Sequence, residues 1–163
     1  MNQLRSALAA AVLLAGCLAA AHARAQSSSP SQGRIVDTVG AVLAPRDRVA
    51  PENAMLQERL DALLPQLMKD ADLDLWLVIA REYAEDPVYF TLVPQPSHAA
   101  RRTTMLIFDR QPDGTVKRLS INRYPFGAPY ESAWSGGDLG AQWKALGELI
   151  GKRDPRRIGI NVS

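Results

Sequence analysis

The stretch that most constrains this chain is Leu73 to Thr91, LDLWLVIAREYAEDPVYFT. From Leu73 to Ala80 it is apolar at nearly every position and rich in large or β-branched side chains, which predicts a short strand buried on both faces. Such a strand is expected at the centre of a sheet. Polarity then jumps at Arg81, Glu82, Tyr83, Glu85 and Asp86, and Pro87 opens a second apolar run, Val88 to Val93. A buried strand that empties into a charged loop is where α/β domains commonly put ligand contacts. The loop is therefore the first place to look for a site, although its position alone assigns it no chemistry.

Around that strand the chain alternates between helical and extended patterns. Leu56, Leu60, Leu63, Leu64, Leu67, Met68 and Ala71 fall at helical spacing after Pro51, a residue suited to a first helical turn. Pro65 lies inside this pattern, where it lacks an N–H and its ring would strike the carbonyl of Asp61, so a kinked or two-part helix is predicted. Thr103 to Asp109 and Thr115 to Asn122 read as strands joined by Gln111-Pro112-Asp113-Gly114, a hairpin signal. The second arm alternates imperfectly, Val116, Leu119 and Ile121 against Lys117, Arg118, Ser120 and Asn122, and one solvated face is expected.

Arg123 to Gly137 reads as a loop anchored by Tyr124, Phe126, Tyr130 and Trp134, and for the last three loop packing is favoured over an interface. Asp138 or Gly137 caps a predicted helix through Ile150 with Leu139, Trp143, Leu146, Leu149 and Ile150 on one side, ended by Gly151, Lys152 and Arg153. Trp76 and Trp143 sit in core patterns. Arg156 to Val162 forms a last strand. Strands interleaved with helices, plus one hairpin, imply an α/β fold with a mixed sheet flanked by helices.

The N-terminus carries a different kind of signal. Arg5, the apolar run Ser6 to Ala21 and Ala23-Arg24-Ala25 have the form of an export signal over residues 1–25. Leu14-Ala15-Gly16-Cys17 also has the form of a lipoprotein box, so a lipid anchor at Cys17 competes with soluble release; the apolar run that continues past Cys17 favours release to the periplasm or beyond. Loss of the leader removes two of the 19 basic residues and none of the 17 acidic ones, which leaves the mature chain formally neutral. No nucleic-acid or membrane-surface reading can rest on its charge. The single cysteine goes with the leader, so stability must come from burial rather than from a disulfide. Residues 26–50 read as a linker and extended arm, with the domain proper at 51–163.

Taken together, Arg59-Leu60 through Leu64-Pro65-Gln66-Leu67-Met68, Asp74-Leu75-Trp76-Leu77-Val78-Ile79, Arg81-Glu82-Tyr83, Glu85-Asp86-Pro87-Val88, Leu92-Val93-Pro94, Ala100-Arg101-Arg102, Met105-Leu106-Ile107-Phe108-Asp109, Arg123-Tyr124 and Arg157 to Ser163 resemble the N-terminal domain of creatinase/prolidase-type metallopeptidases. Within these it is similar to exported Xaa-Pro aminopeptidase-like proteins, and the resemblance covers roughly residues 55 to 163. The resemblance implies a ribonuclease H-like mixed sheet preceding a pita-bread catalytic domain, in which two Asp, one His and two Glu hold two divalent metals. It also implies a homodimer, with this domain overhanging the active site of its own or the neighbouring subunit. None of those ligand positions falls within these residues, and the chain stops just after a strand, so a fragment lacking its catalytic domain, non-catalytic and holding no cofactor itself, is expected. A free-standing periplasmic interaction domain is the alternative.

Arg81, Glu82, Tyr83, Glu85, Asp86, His98, Arg101 and Arg102 are the candidate substrate-access or interface residues. A metal reading of Glu82, Glu85, Asp86 and His98 lacks HExxH-like spacing and a second His in the mature chain. The competing reading is favoured: Asp86 caps a helix begun by Pro87, while Glu82 and Glu85 pair with Arg81, Arg101 or Arg102. A nuclease reading of Asp72, Asp74 and Asp109 rests on fold alone and yields to solvated strand-edge carboxylates.

Overall fold

The computed structural model describes residues 42–161; the export signal, Cys17 and the linker lie outside the described residues. The first helix, α1, spans Pro45–Glu58, continues through a π-helical turn, Arg59–Leu63, and re-forms as α2, Leu64–Asp70. Pro45 occupies the first turn, six residues ahead of the Pro51 expected there, and Pro51 lies inside the helix. Residues 45–50 are thus helical rather than extended.

The two-part helix predicted from Pro65 is present, and the wide turn is its mechanism. The N–H of Leu64 reaches back to the carbonyl of Arg59, five residues away. That turn places Pro65 at the start of α2, where a missing N–H costs little. Leu56, Leu60, Leu64 and Met68 stay on one buried face throughout.

Five strands follow: β1, Leu75–Arg81; β2, Thr103–Arg110; β3, Val116–Ile121; β4, Glu131–Ser132; and β5, Ile158–Ile160. Their order is β4-β3-β2-β1-β5. β2 pairs antiparallel with both β1 and β3, whereas β5 runs parallel to β1 and β4 parallel to β3. The centre of the sheet is therefore β2, every residue of which from Thr104 to Asp109 is buried, and not β1 as its apolar run suggested. β1 is one place off centre, flanked by the three-residue β5.

Alternation divides the sheet residues between two cores. On one face Val78, Ala80, Leu106 and Phe108 pack with Leu56, Leu60, Leu64 and Met68, with Tyr130, and with Tyr89 and Leu92 of α3, Pro87–Leu92. On the other, Leu75, Leu77, Met105, Ile107 and Ile121 meet Leu146 of α4, Leu139–Arg153. Each fully buried Leu, Ile or Phe contributes roughly 1.5–3 kcal/mol of hydrophobic transfer. The result is an α/β fold, a mixed sheet with helices on both faces.

The hairpin forms as predicted. Gly114 adopts φ +87°, and the Asp113 carboxylate accepts from the Thr115 N–H at 2.9 Å. The second arm departs from the expected solvated face: Ser120 and Asn122 are buried, Ser120 where the loop that follows adds β4 beside β3 and Asn122 where its amide bonds the Tyr124 carbonyl of that loop.

In α4, Asp138 is the N-cap, accepting from the Ala141 N–H at 2.7 Å. The helix passes through Gly151 instead of stopping there and ends at Arg153, with Asp154 left-handed at φ +47°. Arg153 explains the extension: its guanidinium donates to the Asp109 carboxylate at 2.7 Å and to the Arg110 carbonyl at 2.9 Å, pinning the helix end to β2. The inward stripe also differs. Gln142 and Leu146 are buried, whereas Leu139 and Trp143, assigned to the core from spacing, are 56% and 47% exposed.

Candidate functional site

Two short loops meet where β1 ends and β2 begins. The N–H of Glu82 donates to the carbonyl of Arg102 at 2.7 Å, and a Glu82 carboxylate oxygen accepts from the Arg102 N–H at 3.1 Å. Ala84 N–H closes a tight turn onto the Arg81 carbonyl. Tyr83 and Arg102 both sit in the left-handed region, at φ +66° and +60°. For side chains of this size that conformation costs on the order of 1–3 kcal/mol each, and it persists where surrounding structure fixes it.

These loops form one wall of a groove of about 830 Å³. The opposite wall is the first turn of α4 with Leu139 and Trp143, and Trp134 and Ile79 complete its apolar lining. Arg81, Arg101, Arg102 and Arg123 bring positive charge to it against Glu82 and Asp138. Both acids have backbone N–H partners, Arg102 and Ala141 respectively. The groove is cationic at its rim and aromatic on its wall.

Gln142 holds this end of the molecule together. Its amide donates to the carbonyls of Thr103, at 2.8 Å, and Ile121, at 3.1 Å, so one buried side chain ties α4 to the ends of β2 and β3. Sequence reasoning missed it, since a lone glutamine in an apolar helical stripe carries no signal distinguishing it from a surface residue.

The predicted site residues divide into three groups. Arg81, Glu82, Tyr83, Arg101 and Arg102 converge on the groove. Glu85 and Asp86 do structural work nearby: Glu85 accepts from the Ala100 N–H at 2.9 Å, and Asp86 caps α3, accepting from the Val88 N–H at 2.7 Å. The cap is as the sequence predicts, but Glu82 and Glu85 bond backbone N–H groups rather than arginine side chains. His98 belongs to a second pocket, of about 520 Å³, which Arg101 also borders.

The carboxylates considered for metal binding have other partners. Asp74 accepts from the Arg156 and Arg157 N–H groups and from the Arg110 guanidinium. Burial works to raise its pKa, but those two N–H groups and the Arg156 guanidinium outweigh it and hold the carboxyl below its ordinary value. Asp109 is buried against Arg153. Among the described residues no three His, Cys, Asp or Glu side chains gather as a metal would require. The ligand set that the resemblance implies does not fit these residues.

Fold and groove define the class: a mixed α/β domain with an arginine-rimmed, tryptophan-walled groove at one end of its sheet. Comparison with family models, curated proteins and solved structures finds no match for the chain.

Proposed function

We propose that this chain is the ribonuclease H-like N-terminal domain of an exported, dimeric Xaa-Pro aminopeptidase-like metallopeptidase, where it serves assembly and shapes substrate access. One observation carries the reading. Six polar residues of the resemblance, Arg81, Glu82, Tyr83, Arg101, Arg102 and Arg123, are scattered over more than 40 positions of sequence yet line a single groove. The mixed sheet with helices on both faces supports the finer fold assignment.

In this reading the groove is a rim and not a reaction centre. The arginines orient an anionic group by paired N–H donors, and Trp143 and Trp134 offer flat apolar surface to a neighbouring chain. Bond cleavage, by water activated on two divalent metals, belongs to the catalytic domain of the full enzyme.

The nucleotide sequence following the Ser163 codon tests it. Continuation, in frame or after one frameshift, into a segment supplying two Asp, one His and two Glu is expected. A stop followed by unrelated sequence favours a free-standing interaction domain instead. Metal-dependent cleavage of an Xaa-Pro peptide by purified residues 26–163 would overturn the assignment of catalysis elsewhere.

A further inference from the structure

Lys69, Arg110, Arg153 and Arg156 border a third pocket, of about 550 Å³, at the end of β2 opposite the groove, where the hairpin turn meets the ends of α2 and α4. Two carboxylates share the lining, and both are already engaged. Asp113 accepts from the Thr115 N–H at 2.9 Å and from its hydroxyl at 2.7 Å, while Asp74 takes the Arg156 and Arg157 N–H groups and the Arg110 guanidinium. Among the described residues no aromatic side chain lines this pocket, unlike the other two.

Two of the cations are held in place. Arg110 donates from Nε to the Leu73 carbonyl at 2.6 Å and from Nη2 to Asp74 at 3.2 Å, and Arg153 from Nε to Asp109 at 2.7 Å and from Nη2 to the Arg110 carbonyl at 2.9 Å. Each keeps Nη1 without a hydrogen bond among the described residues. A guanidinium fixed in this way offers its remaining donors in a set direction, so little ordering is left for an incoming anion to impose. The other two cations are exposed. Lys69 has no ion pair among the described residues, and Arg156 meets a carboxylate only through Nε, 3.5 Å from Asp74. With Asp109 assigned to Arg153, four cations stand against three carboxylates, and the surplus falls on Lys69.

Gln66 and Gln111 add neutral acceptors to the lining. Their amide N–H groups donate to Asp70 at 2.6 Å and to the Asp109 carbonyl at 3.0 Å, which leaves each Oε1 for a hydroxyl. Donors that come from α2, β2 and the end of α4 suit a tetrahedral dianion better than a planar carboxylate, which a single guanidinium fork satisfies.

From this arrangement we infer that the pocket binds a phosphate group, free or carried on a small polyhydroxylated molecule. Arg110 and Arg153 meet its oxygens through Nη1, Lys69 and Arg156 close on it from solvent, and the Gln66 and Gln111 carbonyls accept from hydroxyls. No residue of this pocket lines the groove, so the site and the peptidase reading can each fail alone.

Inorganic phosphate, glucose 6-phosphate and glucose serve as probes, titrated into the protein at constant ionic strength with arginine Nε–H and backbone amide shifts as readout. Saturable shifts at Arg110, Arg153 and Gly114, at millimolar or lower concentration, are expected with at least one of the two phosphates and not with glucose. Tighter binding of glucose 6-phosphate assigns the site to phosphorylated polyols; equal or tighter binding of inorganic phosphate assigns it to the free anion. Lys69→Gln and Arg156→Gln, both at exposed positions, should each weaken binding severalfold and leave the remaining amide shifts in place. Absence of saturable shifts with both phosphates, or unchanged affinity in both variants, would overturn the inference.

Discussion

The Tyr130 hydroxyl donates to the Leu92 carbonyl at 2.6 Å, joining the loop after β3 to the last residue of α3 across 38 positions of sequence. A helix-end carbonyl that would otherwise be buried without a donor is thereby satisfied. Tyr130→Phe keeps the ring contacts with Phe108 and Phe126 and removes only this bond. A loss of about 1–3 kcal/mol is expected in denaturant unfolding, with the slope of the transition unchanged.

The same burial gives the protein an alkaline limit. Desolvation raises the Tyr130 phenol and raises that of Tyr89 to about 12, from an ordinary value of 10.0. A folded-state pKa above the unfolded one means stability is fully present below pH 10 and declines as pH rises through the folded values. Melting temperature should therefore fall above about pH 10. Tyr89→Phe and Tyr130→Phe should each make that decline shallower.

At the acid side Asp74 contributes with the opposite pH dependence. Its carboxyl lies below 3.8 when folded, so its contribution is present above that pH and lost as pH falls through the folded value. Asp74→Asn should flatten part of the acid limb of a stability profile, and hydrogen exchange should show β5 loosening first, since the N–H groups it releases precede that strand. The flattening is partial. Asp61, lowered by Gln57 and then Arg118, and Asp113, lowered by Thr115, act with the same sign.

Gly159 offers a steric test of the β1–β5 seam. A Cβ placed there would lie 2.8 Å from Leu73 Cδ1 and 3.3 Å from Trp76 Cδ1. Leu73 can swing aside for a methyl group, but a branched side chain would drive β5 off β1. Gly159→Val should lower the melting temperature by several degrees, an overpacking cost of roughly 1–3 kcal/mol. It should also break the bond from Trp76 Nε1 to Asn161, 2.9 Å long, which the emission of Trp76 would report.

Gln142→Leu separates packing from hydrogen bonding in the groove wall. The carbonyls of Thr103 and Ile121 lose a donor at similar side-chain volume. A destabilisation of about 1–3 kcal/mol is expected, and Trp143 emission should shift as the first turn of α4 loosens.

Much of this architecture was legible because local chemistry decided it. The Asp113-Gly114 hairpin, the Asp86 and Asp138 caps and the break at Pro65 each depend on residues within a few positions of one another. What depended on distant partners was not legible. β1 reads as the most apolar strand, yet β2 takes the centre because the hairpin places it between β1 and β3. The groove was half visible: the arginines stood out as charge following an apolar run, whereas its Trp143 wall was mistaken for core because helical spacing gives a stripe without saying how far the sheet beneath it extends. Asn122 was expected on a solvated face but is buried, its amide held to the Tyr124 carbonyl of the loop that follows.

The wide turn at Arg59–Leu63 holds one residue more than a regular helix would need to carry its buried seam from Leu60 to Leu64. A helix that repeats every 3.6 residues keeps one face by steps of four, then three, then four, and the extra residue is taken up where the bonds skip to the fifth neighbour. Excising Ala62 should accordingly leave the seam in phase, yet bring the Pro65 ring back against a carbonyl one turn earlier. A chain shortened there alone should fold poorly, and one in which Pro65→Ala accompanies the excision should regain its register, making this turn a spacer whose length is set by a single imino acid.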